Sequence, residues 1–203
     1  MSYLRDTYGN ELPYGLPVLR DVAEKDRRLV WKMLEQGINT VGTSSCGRLF
    51  DAVASILGLR HEINFEAQAA IELEIAARQG TGGVYPFQIE FAEPWQIDVR
   101  PVIESIVNEM QQRVDSGVIA ARFHNTLAEM VAQVCGKLRA DGGPNKVCLS
   151  GGTFQNMFLL ERTVFALDEF GFDVYLHANV PANDGGISLG QAVIANAAIR
   201  KEH

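Results

Sequence analysis

Between Leu16 and Gln36 the apolar residues Leu19, Val22, Ala23, Val30, Met33 and Leu34 recur near a 3.6-residue period, and Leu29 and Trp31 widen the stripe. The pattern predicts a helix, with Pro17 tolerated in its first turn, Glu24 to Arg28 on its outer face and Gly37 as its stop. Residues 1–15 carry Gly9, Pro13 and Gly15 with little periodicity and predict an irregular lead-in. Further helical stripes run over Leu49–Leu57, closed by Gly58, then Phe65–Gln79, Val99–Ser116 with Pro101 in its first turn, and Val118–Arg139. Between them Gly80 to Gly83 breaks the chain. Tyr85–Phe91 alternates as a strand does, and Trp95–Val99 is placed to pair with it in a hairpin beside the core.

The densest pattern lies in Lys146–Gln191. Val147-Cys148-Leu149 reads as a buried strand running into Ser150-Gly151-Gly152. Thr153 is the expected cap of the following helix, with Gln155 and Asn156 in its first turn. Two adjacent glycines let a ligand approach the backbone, and the N–H groups of a helix start suit a phosphate. A second strand, Asp173–Leu176, feeds Pro181-Ala182-Asn183-Asp184-Gly185-Gly186, and an apolar helix begins near Ile187. Both glycine-rich turns are expected on the same side, as the back half of a nucleotide cleft.

Composition narrows this reading. The formal net charge of −7 and sequence pI near 5.1 offer no basis for binding a nucleic-acid backbone. The three cysteines, Cys46, Cys135 and Cys148, form no CxxC pair, which suits a reduced cytoplasm. No apolar run reaches the roughly 18 residues of a membrane span, and the first residues lack a signal-peptide core. The expectation is a soluble cytoplasmic α/β protein with no membrane and no nucleic-acid partner. Its tail, Arg200-Lys201-Glu202-His203, is expected to fray.

Several side chains invite chemistry. Asp51, at the start of an apolar helix, reads as a partner of the helix dipole or as a ribose or metal-water contact. Arg48 reads as a surface charge or an anion clamp. Glu66 and Gln68, at a helix start, are better placed to face a site than Glu72 and Glu74, which read as the wet face. His124 reads as a packing residue. Cys148 reads as core, and Cys46, in the loop Val41–Arg48, as structural.

Four blocks taken together, TSSCGRLFDAVA from Thr43, FEAQAAIELE from Phe65, SGGTFQN from Ser150 and NDGGISLGQ from Asn183, closely resemble the C-terminal part of the HypF carbamoyltransferases, which mature [NiFe] hydrogenases. The resemblance runs from about residue 16 to about residue 198. It implies the actin-like ATPase/sugar-kinase fold in the branch shared with the TsaD tRNA-modifying enzymes. The chain would be a ribonuclease-H-like half of that fold, with a large helical portion over 1–140, a small β-hairpin insert near 84–99 and an α/β nucleotide-cleft portion over 141–203. The implied reaction moves a carbamoyl group from carbamoyl-adenylate, made from carbamoyl phosphate and ATP, to the C-terminal cysteine thiolate of HypE. By the same resemblance Gly151, Gly152 and Asn156 cradle the nucleotide, Asp51 faces its ribose, Glu66 and Gln68 line the same cleft, and Asp184 completes a site for Mg²⁺ or Fe²⁺.

The family's transferase domain carries a metal-binding HxxxH in its first half. Here the histidines are His61, His124, His177 and His203, without that spacing, so the metal's histidine ligands are expected outside this chain. A complete HypF also has upstream acylphosphatase-like, zinc-finger and adenylating domains. The chain therefore reads as a C-terminal piece, an expressed fragment or a truncated gene product, whose partners are HypE and the remaining HypF domains. The competing readings are a TsaD-like threonylcarbamoyl transferase, against which the acidic balance and FEAQAAIELE speak, a nucleotide-binding or docking module without turnover, and a sugar kinase, which needs a catalytic aspartate not seen here.

Overall fold

The computed structural model describes residues 1–201, so Glu202 and His203 of the tail lie outside the described residues. The chain forms two compact units, Met1–Thr126 and Leu127 onward, and the division falls inside one long helix.

In the first unit α1 (Ser2–Tyr8), α2 (Pro17–Asp21), α3 (Glu24–Gln36), α4 (Cys46–Ile56), α5 (Gln68–Ala76) and α6 (Arg100–Gln111) precede the start of α7 (Ser116–Ala140). A hairpin, β1 (Gln88–Glu90) with β2 (Gln96–Asp98), is antiparallel, with Ile89 opposite Ile97. The apolar stripes of α4, α6 and α7 meet in a core that includes Phe50, Val53, Ile103, Ile106, Ile119 and Phe123, all at most 2% exposed. Leu4 of α1, also fully buried, joins that core as α1 packs on α6.

The lead-in is thus irregular only over 9–15; before that Leu4 anchors a short helix. The stripe over Leu16–Gln36 is two helices. Val22 and Ala23 take extended ψ values of 126° and 142° and break it between Asp21 and Glu24. Gly37 ends α3 in a left-handed turn, as expected, its N–H donating to the Met33 carbonyl.

The helix expected over Phe65–Gln79 is shorter, because Ala67 at its N-cap has φ 61° and ψ 10°. That left-handed conformation costs a residue with a Cβ about 1–2 kcal/mol. Ala67→Gly is therefore expected to raise stability by about 0.5–1 kcal/mol, after the greater unfolded-state entropy of glycine is deducted. An increased urea midpoint would show it, and a lowered one would refute it.

In the second unit α7 continues to Ala140, followed by β3 (Lys146–Cys148), a 3₁₀ turn at Gly152–Gln155, α8 (Met157–Glu169), β4 (Asp173–Tyr175), a 3₁₀ turn at Asp184–Gly186 and α9 (Ile187–Lys201). Strands β3 and β4 are parallel, with Val147 opposite Val174. Their inward valines pack with Ala132, Leu149, Leu167 and Phe172.

Cys148 is exposed rather than core. Residues alternate across a strand, and only the face carrying Val147 is covered. Arg139 fastens the turn before β4 to the end of α7. Its guanidinium lies 4.0 Å from the Phe172 ring centroid and donates to the Phe170 carbonyl (2.9 Å) and to Asn145 Oδ1 (2.8 Å). No helix of the described residues is long and apolar enough to cross a membrane.

Candidate functional site

Parallel strands end on the same side, so the loops that follow β3 and β4 emerge together. Three hydrogen bonds pin them. The Leu149 N–H donates to the Tyr175 carbonyl (3.0 Å), the Gly151 N–H donates to the Ala182 carbonyl (2.8 Å), and Ser150 Oγ lies 2.8 Å from His177 Nε2. In open α/β sheets ligands bind outside the carboxyl ends of the strands. Both glycine-rich turns lie in this region of the second unit, as the sequence led us to expect.

The two glycine pairs serve different ends. Gly151 has φ 100°, a conformation closed to most side chains, whereas Gly152 does not; a Cβ at either would meet nothing within 4 Å. The surface above this pair is open. A Cβ at Gly185 would lie 3.0 Å from Pro181 Cγ, and one at Gly186 would lie 2.9 Å from the Pro181 carbonyl oxygen. That second pair is closed by its own loop. Asn183 shapes it, its Oδ1 accepting from the Gly185 N–H (3.1 Å) and its carbonyl from the Gly186 N–H (3.0 Å). Asp184 is exposed beside it.

Asn156 does not sit within the first turn of a helix capped by Thr153. The 3₁₀ turn intervenes, α8 starts at Met157, and Asn156 is itself the cap. It is 9% exposed, and its Oδ1 accepts from the Leu159 N–H at 2.8 Å. Its carboxamide oxygen thus holds the helix start that supports the Gly151–Gly152 turn.

In the first unit α4 begins at Cys46, capped by Ser45 Oγ, which accepts from the Arg48 N–H (3.4 Å). Cys46 is therefore helical rather than in a loop, and burial pushes its thiol above the ordinary value, which disfavours the thiolate. Asp51 lies beyond the first turn, so it is not the dipole partner. Its Oδ2 is 3.3 Å from Arg48 Nη1 on the same face.

Glu66 is exposed just before α5. Gln68 is 6% exposed and engaged at both ends: Oε1 accepts from the Asn64 N–H (2.8 Å) and Nε2 donates to Glu72 Oε1 (3.0 Å). Glu72 is not on a wet face. Arg60 Nε donates to its Oε2 at 2.9 Å and Nη2 contacts Oε1, and the guanidinium, followed by the Gln68 amide, holds the Glu72 carboxyl below its ordinary value. His124 is buried with Nδ1 2.7 Å from the Ala120 carbonyl oxygen, the packing role read from its sequence position.

Sequence reasoning gave no role to Arg60, Ser150 or His177. The adjacency of Ser150 to the double glycine and of His177 to the end of β4 was the available signal, but their pairing spans 27 residues.

Among the described residues no group of three or more His, Cys, Asp and Glu side chains is placed to hold a metal. A magnesium ion bound partly through nucleotide phosphates would need one or two protein carboxylates, and Asp184 is an exposed carboxylate in this region.

The comparisons with known proteins agree with this architecture. Residues 1–191 match the family described as "Carbamoyltransferase, Kae1-like Domain, second subdomain". Carbamoyltransferase HypF of Synechocystis is 37% identical over 174 residues, which are 85% of this chain and 21% of that protein. The HypF of Rhizobium leguminosarum is 36% identical over 173 residues, 84% of this chain and 22% of that protein. A crystal structure of full-length HypF in the phosphate- and nucleotide-bound form superposes with a TM-score of 0.85 at 37% identity, covering 98% of this chain and 25% of that one. The chain belongs to the HypF carbamoyltransferase family, and it spans between a fifth and a quarter of the length of these relatives. The fold also superposes on HypF of T. kodakarensis with a TM-score of 0.77 at 24% identity.

Proposed function

We propose that this chain contributes the nucleotide-binding part of a carbamoyltransferase that transfers a carbamoyl group from carbamoyl-adenylate to the C-terminal cysteine thiolate of HypE. The thiolate attacks the carbamoyl carbon, the carbon–oxygen bond to the phosphate breaks, and AMP leaves with the electron pair. The observation that carries the reading is the pinned pair of loops at the carboxyl ends of β3 and β4, open above Gly151 and Gly152, in a chain so similar to a nucleotide-bound HypF.

The Gly152 N–H donates to the phosphate, Gly151 without a side chain leaves the approach open, and Asn156 fixes that turn through the helix it caps. Asp184 would hold a magnesium ion, which would offset phosphate charge. Such fixed groups act by positioning and by electrostatic stabilisation of the leaving phosphate. Asp51, Glu66 and Gln68 belong to the first unit, and their role toward the nucleotide rests on the family resemblance alone. The parallel β3–α8–β4 unit supports the ribonuclease-H-like, actin-like assignment and a nucleotide-cleft portion over 141–203, after the mostly helical 1–140. The remaining HypF domains supply carbamoyl-adenylate. Because the chain spans so little of its relatives, we infer that alone it binds nucleotide without turnover.

Asn156→Ala would confound binding with the loss of a helix cap, which costs about 1 kcal/mol. Gly152→Ala is cleaner, because its Cβ meets nothing and its backbone is unstrained. Calorimetric titration with ATP and Mg²⁺ is expected to show binding by the wild type and about tenfold weaker binding by Gly152→Ala, equivalent to about 1.4 kcal/mol, at unchanged melting temperature. Equal affinities would remove the phosphate from this turn. No binding by the wild type would refute nucleotide binding by this chain.

A further inference from the structure

Ser150 and His177 reach the same open rim from different strands. Ser150 follows β3 directly before the open glycine pair, and His177 follows β4. Both are exposed, and Ser150 Oγ lies 2.8 Å from His177 Nε2. One proton lies between these atoms. If Ser150 donates it, only the lone pairs of the hydroxyl face outward. If His177 Nε2–H donates, the Ser150 O–H is left to donate elsewhere. An ionised phosphate oxygen only accepts, so the second arrangement suits it.

We propose that His177 is a positioning residue for phosphate recognition: its Nε2–H donates to Ser150 Oγ and turns the serine O–H toward a phosphate oxygen of the nucleotide held above Gly151 and Gly152. The inference rests on the nucleotide reading given above and adds a side-chain donor to a site otherwise made of backbone. It assigns the pair to the phosphate rather than to the base, because Ser150 adjoins Gly151, whose own N–H is already given to the Ala182 carbonyl. A bond that merely tied the two loops together would affect their stability and would not distinguish one ligand from another.

The test titrates the chain with AMP, with ATP plus Mg²⁺ and with adenosine, for the wild type, Ser150→Ala, His177→Ala, the double variant and His177→Gln. A hydrogen bond to a charged group corresponds to a loss of about ten- to a hundredfold when it is removed. Ser150→Ala and His177→Ala should each weaken AMP and ATP by about tenfold and leave adenosine unchanged. The double variant should be no worse than the singles, because the two residues act as one unit. His177→Gln, which keeps a donor, should recover most of the affinity. Wild-type binding that His177→Ala leaves intact, or weakens equally for adenosine, would overturn the positioning role while the nucleotide reading stands. Absence of wild-type binding to all three ligands would overturn both. Melting temperatures within a few degrees of the wild type, with Gly152→Ala as a folded reference, separate these outcomes from misfolding.

Discussion

Replacing Phe50 with alanine is expected to destabilise the first unit by about 3–5 kcal/mol. The ring is 2% exposed and meets Phe123 edge-on at 5.1 Å between centroids, and the His124 ring at 5.3 Å. The two α7 rings lie 5.8 Å from each other, so the ring from α4 completes a three-ring cluster, and its removal leaves a cavity beside both. The loss is the transfer free energy of the ring together with the dispersion contacts around the void. Phe50→Leu retains part of the volume and should lose about half as much. Urea unfolding followed by far-UV circular dichroism measures the difference. A loss under about 1 kcal/mol would mean that the three-ring cluster does not hold the unit together.

Acidification should destabilise the same cluster. Burial is the larger influence on His124 and lowers its pKa from 6.5 to about 4, against a smaller upward pull from the Ala120 carbonyl. The unfolded chain binds a proton there below about pH 6.5, whereas the folded chain does so only below about 4. The stability contribution is therefore fully present above pH 6.5, declines as pH falls toward 4, and is constant below that. The full difference corresponds to about 3 kcal/mol, at about 1.4 kcal/mol per unit. Urea midpoints of the wild type and His124→Leu, compared at pH 7.5 and pH 4.5, isolate the histidine from the carboxylates common to both. The difference between the two proteins should shift toward the variant at the lower pH. An unchanged difference would mean that His124 titrates alike in both states.

Where a long stripe faced a core, the sequence was sufficient. The stripes of α6 and α7 are legible because periodicity reports burial on one face, although α6 ends at Gln111 and α7 takes in Gly117. The hairpin, whose Ile97 is 40% exposed, and the two strand–glycine–helix passages are legible from their alternation and turn residues instead. The break at Val22–Ala23 was not legible, since both residues are apolar and neither is glycine or proline. The short α1 has one buried apolar residue, Leu4, and a single residue has no period. The exposure of Cys148 was hidden because a three-residue strand covered on one face reads as an apolar run.

At the candidate site the turns were legible and their connections were not. Arg60 and Glu72 are 12 residues apart, and Ser150 and His177 are 27 apart. No local pattern reports such pairs. Asn156 reads from the sequence as a ligand contact, whereas the structure shows it capping α8, a role obscured by the 3₁₀ turn between Gly152 and Gln155.

The two double glycines also differ in what random mutation can do to them. Substitution at Gly185 or Gly186 forces the Pro181 loop apart, so variants there should be removed by degradation before their activity matters. Gly152 has room for a larger residue. A population released from selection for ligand binding should therefore lose Gly152 by drift while it keeps Gly185 and Gly186, and in such a lineage the first glycine pair would record lost function while the second still recorded a folded chain.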